Sequence, residues 1–218
     1  KFEEKKFLCN ISSNKYSNFK SELYSERIKV IEFYNKKYPQ IFDLFGFNWD
    51  SYVNNKFLYN IFKQTNNVKL LRRVLKIFTY FFRIIIFKKL VVYRGVIKNK
   101  YDVLKNYKYS ICFENYYNND GYVTEKIFDC FKCKVVPIYY GYDEIQNIIP
   151  ENTFIDYRKF ESLDSLNDFL LNINESEYYN YLKNAQEYLK SSSSNPFNVY
   201  ENAKRISNII YDRIVKKE

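Results

Sequence analysis

Residues 107–141 read Y-K-Y-S-I-C-F-E-N-Y-Y-N-N-D-G-Y-V-T-E-K-I-F-D-C-F-K-C-K-V-V-P-I-Y-Y-G. The apolar run 109–113 predicts a buried strand that ends at Glu114 and Asn115. Asn118, Asn119, Asp120 and Gly121 predict a loop. A helix is expected over 123–131 and a second buried strand over 135–139, with Gly141 turning the chain. Two short, continuously apolar strands joined through a helix make a βαβ unit, so they lie parallel and are covered on both faces.

Working outward, 7–12 predicts another strand, 21–37 a helix and 41–47 a strand turned at Gly46. In the first helix Leu23, Ile28, Ile31 and Tyr34 share a face. A short helix is expected over 98–107. Downstream, Phe154 and Ile155 predict a last strand, and 162–173, 176–189 and 196–215 predict helices. Asn195 is expected to cap the last of these, with Pro196 in its first turn. The fold class is therefore α/β: a Rossmann-like parallel sheet with helices on both faces and a helical C-terminus. No internal repeat is present.

Composition sets limits on function. The chain has 218 residues, no His, no Met, four Cys and a formal net charge of +10. Without His there is no Ser-His or Cys-His catalysis, and most zinc sites are excluded. Cys130 and Cys133 form a C-x-x-C pair, but no second pair completes a metal site, so no metal is expected. The free thiols point to a reducing compartment, and cytoplasmic placement is the expectation, with a Golgi-type lumen as the alternative. Asn10 and Asn174 begin N-x-S sequons. The basic excess suits phosphorylated small molecules, anionic lipid or a merely solvated surface. No nucleic-acid recognition motif occurs, and no nucleic-acid partner is expected. Residues 68–93 alternate apolar and basic positions. This is the pattern of a helix lying on an anionic membrane surface, peripheral to it, or of an amphipathic helix packed on another domain. No run of apolar residues is long enough to span a bilayer.

The candidate site follows from the opening stretch. In open α/β sheets ligands bind at the carboxyl ends of strands. The helix that begins after Tyr122-Val123-Thr124 offers backbone N–H groups and a partial positive charge, which suit phosphate. Lys126 adds a full charge in the first turn, Glu125 can accept from sugar hydroxyls, and Tyr122 offers a ring and a phenol. A surface Glu-Lys pair on an ordinary helix is the plainer reading of the same residues.

The run F-E-N followed by G-Y-V-T-E-K-I-F-D, then V-P-I-Y-Y-G, then I-P-E-N-T-F-I-D-Y-R-K-F, resembles the signature of the family 10 glycosyltransferases, the α-1,3/4-fucosyltransferases. The upstream C-N-I-S-S-N and E-L-Y-S-E-R-I-K are similar to that family's preceding strand and helix. The resemblance covers nearly the whole chain except about 51–93, read as a basic amphipathic insertion. It implies the C-terminal, donor-binding half of a GT-B fold, with the acceptor domain and its catalytic base outside this chain.

What else the resemblance implies concerns chemistry. Fucose would pass from GDP-fucose to a glycan acceptor hydroxyl with inversion and without a cofactor. Lys126 would bind the donor diphosphate. Glu125 would hold ribose or fucose hydroxyls, and Asn115 and Tyr122 would line the donor pocket. Glu114 and Thr124 border it. Arg27 would be the second cation on the diphosphate, with Lys20 as the alternative. Transfer of another GDP-sugar, or a non-catalytic basic module, are the competing functions. Cys133-Lys134 departs from the small residues usual in the family between this helix and the next strand.

Overall fold

The computed structural model describes residues 1–15, 17–49, 90–118 and 120–215. Five strands form one parallel sheet: β1 (Lys6–Ile11), β2 (Phe42–Phe45), β3 (Tyr107–Asn118), β4 (Val136–Tyr142) and β5 (Ile155–Asp156), in the order β2-β1-β3-β4-β5. The helices are α1 (Tyr24–Lys37), α2 (Lys100–Leu104), α3 (Glu125–Lys132), α4 (Leu163–Asn172), α5 (Glu175–Lys190) and α6 (Val199–Val215). The expected α/β class, with a parallel sheet and a helical C-terminus, is what the chain adopts.

Side-chain alternation along the strands divides the core in two. Leu8, Ile111, Phe113, Val136 and Ile138 join Val30, Ile31 and Tyr34 of α1 and Leu166 and Leu170 of α4. Cys9, Cys112 and Tyr139, from the intervening positions, join Ile127 and Phe131 of α3 and Ala185 and Tyr188 of α5. Each sheet face is thus covered by helices, which leaves the carboxyl ends of the strands as the place where such sheets take a ligand.

The order 2-1-3-4-5 reverses direction between β1 and β3, the topological switch point where such sheets open a crevice. β3 overruns its expected end and reaches Asn118. Its extension is stitched to the segment before α1: Tyr117 N–H donates to Ser21 O at 2.7 Å, Leu23 N–H to Asn115 O at 3.0 Å, and Glu22 bridges Tyr116. The first turn of α1 is thereby fixed against the end of β3.

Three local expectations are corrected. Gly141 lies inside β4 and does not turn the chain. Its bare Cα is required because a Cβ there would stand 2.5 Å from Glu114 Cγ. The C-terminal helix starts at Val199, not 196: residues Ser192–Phe197 form a 3-10 stretch, and Asn198 Oδ1 accepts from Tyr200 N–H at 2.9 Å. Asn198 supplies the cap at the point where the chain leaves the 3-10 turn.

The third correction concerns 90–93, the end of the expected amphipathic helix. These residues pair with β2: Leu44 N–H donates to Val92 O and Arg94 N–H to Leu44 O, both at 2.8 Å. The preceding part of that segment, 68–89, and most of the expected insertion lie outside the described residues. No described helix is long and apolar enough to cross a membrane. At Gly46 the expected turn is present, with φ +131° and Ser12 O only 2.0 Å from where a Cβ would stand.

Candidate donor crevice at the β1–β3 switch point

A crevice of about 130 Å³ opens at the switch point. β1 and the loop after it supply Asn10, Ser12 and Lys15, α1 supplies Tyr24 and Arg27, and Asn115 and Lys126 close it from β3 and α3. The crevice is smaller than the roughly 300–1,000 Å³ usual for pockets that enclose a drug-sized ligand. Three larger cavities among the described residues include none of Arg27, Asn115 and Lys126 in their linings.

Arg27 is 6% exposed. It follows Leu23 by four residues and precedes Ile31 by four, so helical spacing places it on the buried face of α1. Its Nη2 donates to Phe113 O at 2.9 Å and Glu114 O at 3.1 Å, and its guanidinium stands 5.4 Å from the centre of the Tyr24 ring. Burial lowers its pKa from the ordinary arginine value, opposed by nearby Tyr24, Cys112, Glu114 and Glu22. Arginine nonetheless stays protonated in proteins. Neither of these two bonds goes to a carboxylate, so the positive charge remains available to the crevice.

Lys126 stands in the first turn of α3. Its Nζ donates to Glu114 Oε2 at 2.7 Å and to Thr124 Oγ1 at 3.1 Å. Glu114 is fully buried and also accepts from Thr124 N–H at 2.8 Å and Thr124 Oγ1 at 2.7 Å. Glu114 therefore does not line the crevice; it sits beneath Lys126. Asn115 Nδ2 donates to the Tyr122 hydroxyl at 3.3 Å, and Tyr122 stacks on Tyr116 with ring centres 4.3 Å apart and planes 20° apart.

The structure thus brings Arg27, Asn115 and Lys126 to one crevice, with Glu114, Thr124 and Tyr122 packed around its β3–α3 side. Two other expected residues lie elsewhere. Lys20 is exposed and is not among the residues lining the crevice. Glu125 is also exposed, its Oε1 lies 3.9 Å from Lys100 Nζ, and it borders a separate cavity between α3 and the start of α6. Ser12, Lys15 and Tyr24 are lining residues that the sequence reading did not single out, and Asn10 entered it only as the start of a sequon. Tyr24, one turn before Arg27, carried a signal in its spacing. Among the described residues no group of three or more His, Cys, Asp or Glu is placed to hold a metal ion.

The sheet order and the crevice define a doubly wound α/β domain with two cationic side chains, Arg27 and Lys126, at its switch point. Comparison with known proteins narrows this. Residues 49–206 match the model of glycosyltransferase family 10 (fucosyltransferase), C-terminal part, and the chain belongs to that family. It is 33% identical over 105 residues to the alpha-(1,3)-fucosyltransferase FucT of Helicobacter pylori, covering 48% of this chain and 20% of that protein. It is 32% identical over 81 residues to an alpha-(1,4)-fucosyltransferase of Arabidopsis thaliana, covering 35% and 20%. The matched stretches thus span about a fifth of these relatives.

Among solved structures, an alpha1,3-fucosyltransferase crystallised with GDP-fucose aligns with a TM-score of 0.51 and 20% identity, over 82% of this chain and 38% of the other. That likeness establishes the shared fold.

Proposed function

We propose that this chain supplies the donor-binding part of a fucosyltransferase that moves fucose from GDP-fucose to a glycan hydroxyl with inversion. The observation that carries the reading is the placement of Arg27 and Lys126 on two sides of one small crevice at the switch point. As the bond between fucose and the diphosphate breaks, negative charge grows on the leaving phosphate. Fixed cations around it stabilise that charge more in the transition state than in the ground state. Arg27, locked by two backbone carbonyls, supplies such a charge without rearranging. Lys126 supplies the second, and the N-terminus of α3 adds its partial positive charge from the same side.

Asn115 and Tyr122 form the rim, where an amide and a phenol can accept and donate to ribose or fucose hydroxyls. Glu125 reaches the donor in this reading only through a change of rotamer away from Lys100. The acceptor hydroxyl loses a proton as the sugar carbon becomes oxocarbenium-like. The family membership and the names of the relatives support fucose as the sugar; the two cations at the crevice support a diphosphate.

The test is calorimetric titration of the chain with GDP-fucose, beside Lys126→Ala. Saturable binding that weakens about tenfold or more in the variant, the value of one charge-assisted hydrogen bond, supports the reading. Equal binding by both proteins, or none by a folded wild-type chain, overturns it.

A further inference from the structure

The buried carboxylate of Glu114 needs a reason. It is 0% exposed, and taking a carboxylate out of water costs several kcal/mol that partners must offset. The fold goes to some length to accommodate it: Gly141 on the neighbouring strand leaves the space its Cγ fills. Apolar residues of similar volume often serve stability as well as buried ionic groups do. What an apolar residue cannot do is hold Lys126.

The three side chains form a closed triangle. Thr124 Oγ1 donates to Glu114 Oε2, while Lys126 Nζ donates to both Glu114 Oε2 and Thr124 Oγ1. A lysine ammonium has three N–H directions. Two are occupied inside this triangle, and Lys126 is its one member that lines the crevice. The third N–H is left for a ligand. A free lysine side chain loses rotamer entropy when it is immobilised; here that cost falls on folding instead of on binding.

We infer that Glu114 is a positioning residue of the diphosphate seat, acting on the ligand only through Lys126, with the Thr124 hydroxyl as the second acceptor that fixes the ammonium. The inference rests on the donor reading above. It differs from a purely architectural role, in which Glu114 would serve only to close the N-terminus of α3 through Thr124 N–H.

A double-mutant cycle separates the two. GDP is titrated against the wild-type chain, Glu114→Gln, Lys126→Ala and the double variant, followed into the millimolar range, with a thermal melt of each. Gln keeps the shape and one acceptor but removes the charge. The expected result is an affinity loss of about tenfold for Glu114→Gln when Lys126 is present. Where Lys126 is already Ala, the loss should shrink to less than about twofold, because nothing remains for Glu114 to position. The same loss in both backgrounds makes Glu114 architectural and overturns the inference while leaving the donor reading standing.

If Glu114→Gln does not fold, Gly141→Ala takes its place. It presses on Glu114 Cγ without removing any charged group. The expected loss is again confined to the background that contains Lys126, and equal losses count against the inference. A folded wild-type chain that binds no GDP removes both the donor reading and this inference.

Discussion

Two cationic sites stand beyond the carboxyl ends of the strands of one sheet, and they are built in opposite ways. Arg158, just after β5, is saturated with carboxylate. Its Nε and Nη2 take Asp156 at 2.9 and 2.7 Å, and its Nη1 takes Asp143 through both the backbone carbonyl, at 2.6 Å, and the side chain. The Asp156 carboxylate, aided by Asp143, raises the guanidinium pKa above its ordinary value. Beside β1 and β3, Arg27 donates to the backbone carbonyls of Phe113 and Glu114, and Lys126 to the one carboxylate of Glu114. The first site has an excess of negative charge and the second an excess of positive charge. What a cation is bonded to inside the fold decides whether it can serve a ligand, and the motif I-D-Y-R-K-F is, by that measure, architectural at its arginine.

The sharpest way to break this contrast is Arg27→Ala. It leaves the Phe113 and Glu114 carbonyls without this donor and removes one charge from the crevice. Stability should fall by about 3 kcal/mol in a denaturant melt, and GDP affinity by about a hundredfold in titration, two charge-assisted bonds' worth. Arg158→Ala is the counterpart. It should cost about 1–2 kcal/mol of stability and leave GDP affinity within about twofold of wild type. Should Arg158→Ala instead cost as much affinity as Arg27→Ala, the distinction drawn from their partners fails.

The smallest expected effect is a control on a third ionic group that lies away from both sites. Burial raises the Asp43 pKa, but the Tyr107 hydroxyl, Lys6 and Arg94 together bring it below the usual aspartate value. A carboxylate depressed in the folded state contributes stability above its unfolded pKa of about 3.9, and that contribution is lost as pH falls through the folded value. Acid unfolding should therefore be less steep in Asp43→Asn below about pH 4. GDP binding at neutral pH should be unchanged.

The strand–loop–helix–strand unit from Tyr107 to Gly141 was legible because buried parallel strands are continuously apolar and the polar loop between them is unmistakable. The crevice was legible in part: motif order pointed to Lys126 and Asn115, and the resemblance to Arg27. What the residues alone did not announce was that Arg27 is buried. An arginine is expected in water, and only its spacing from Leu23 and Ile31 places it inside. The role of Glu114 was hidden for a similar reason. Its partners Thr124 and Lys126 lie ten and twelve residues on, and the space it occupies is created by a glycine on another strand. Gly141 read as a turn because glycine's local signal is conformational, whereas its use here is a missing side chain. At 90–93 tertiary pairing with β2 overrode a helical pattern.

The one tryptophan of the chain, Trp49, is 2% exposed, and its indole N–H donates to Ser12 O at 2.5 Å. Ser12 is part of the crevice lining. The protein thus carries its own optical reporter next to the proposed donor seat. Red-edge excitation, where the many tyrosines do not absorb, isolates the emission of this single indole, one residue from the crevice, so that the arrival of a charged group there can be followed by light without attaching a label.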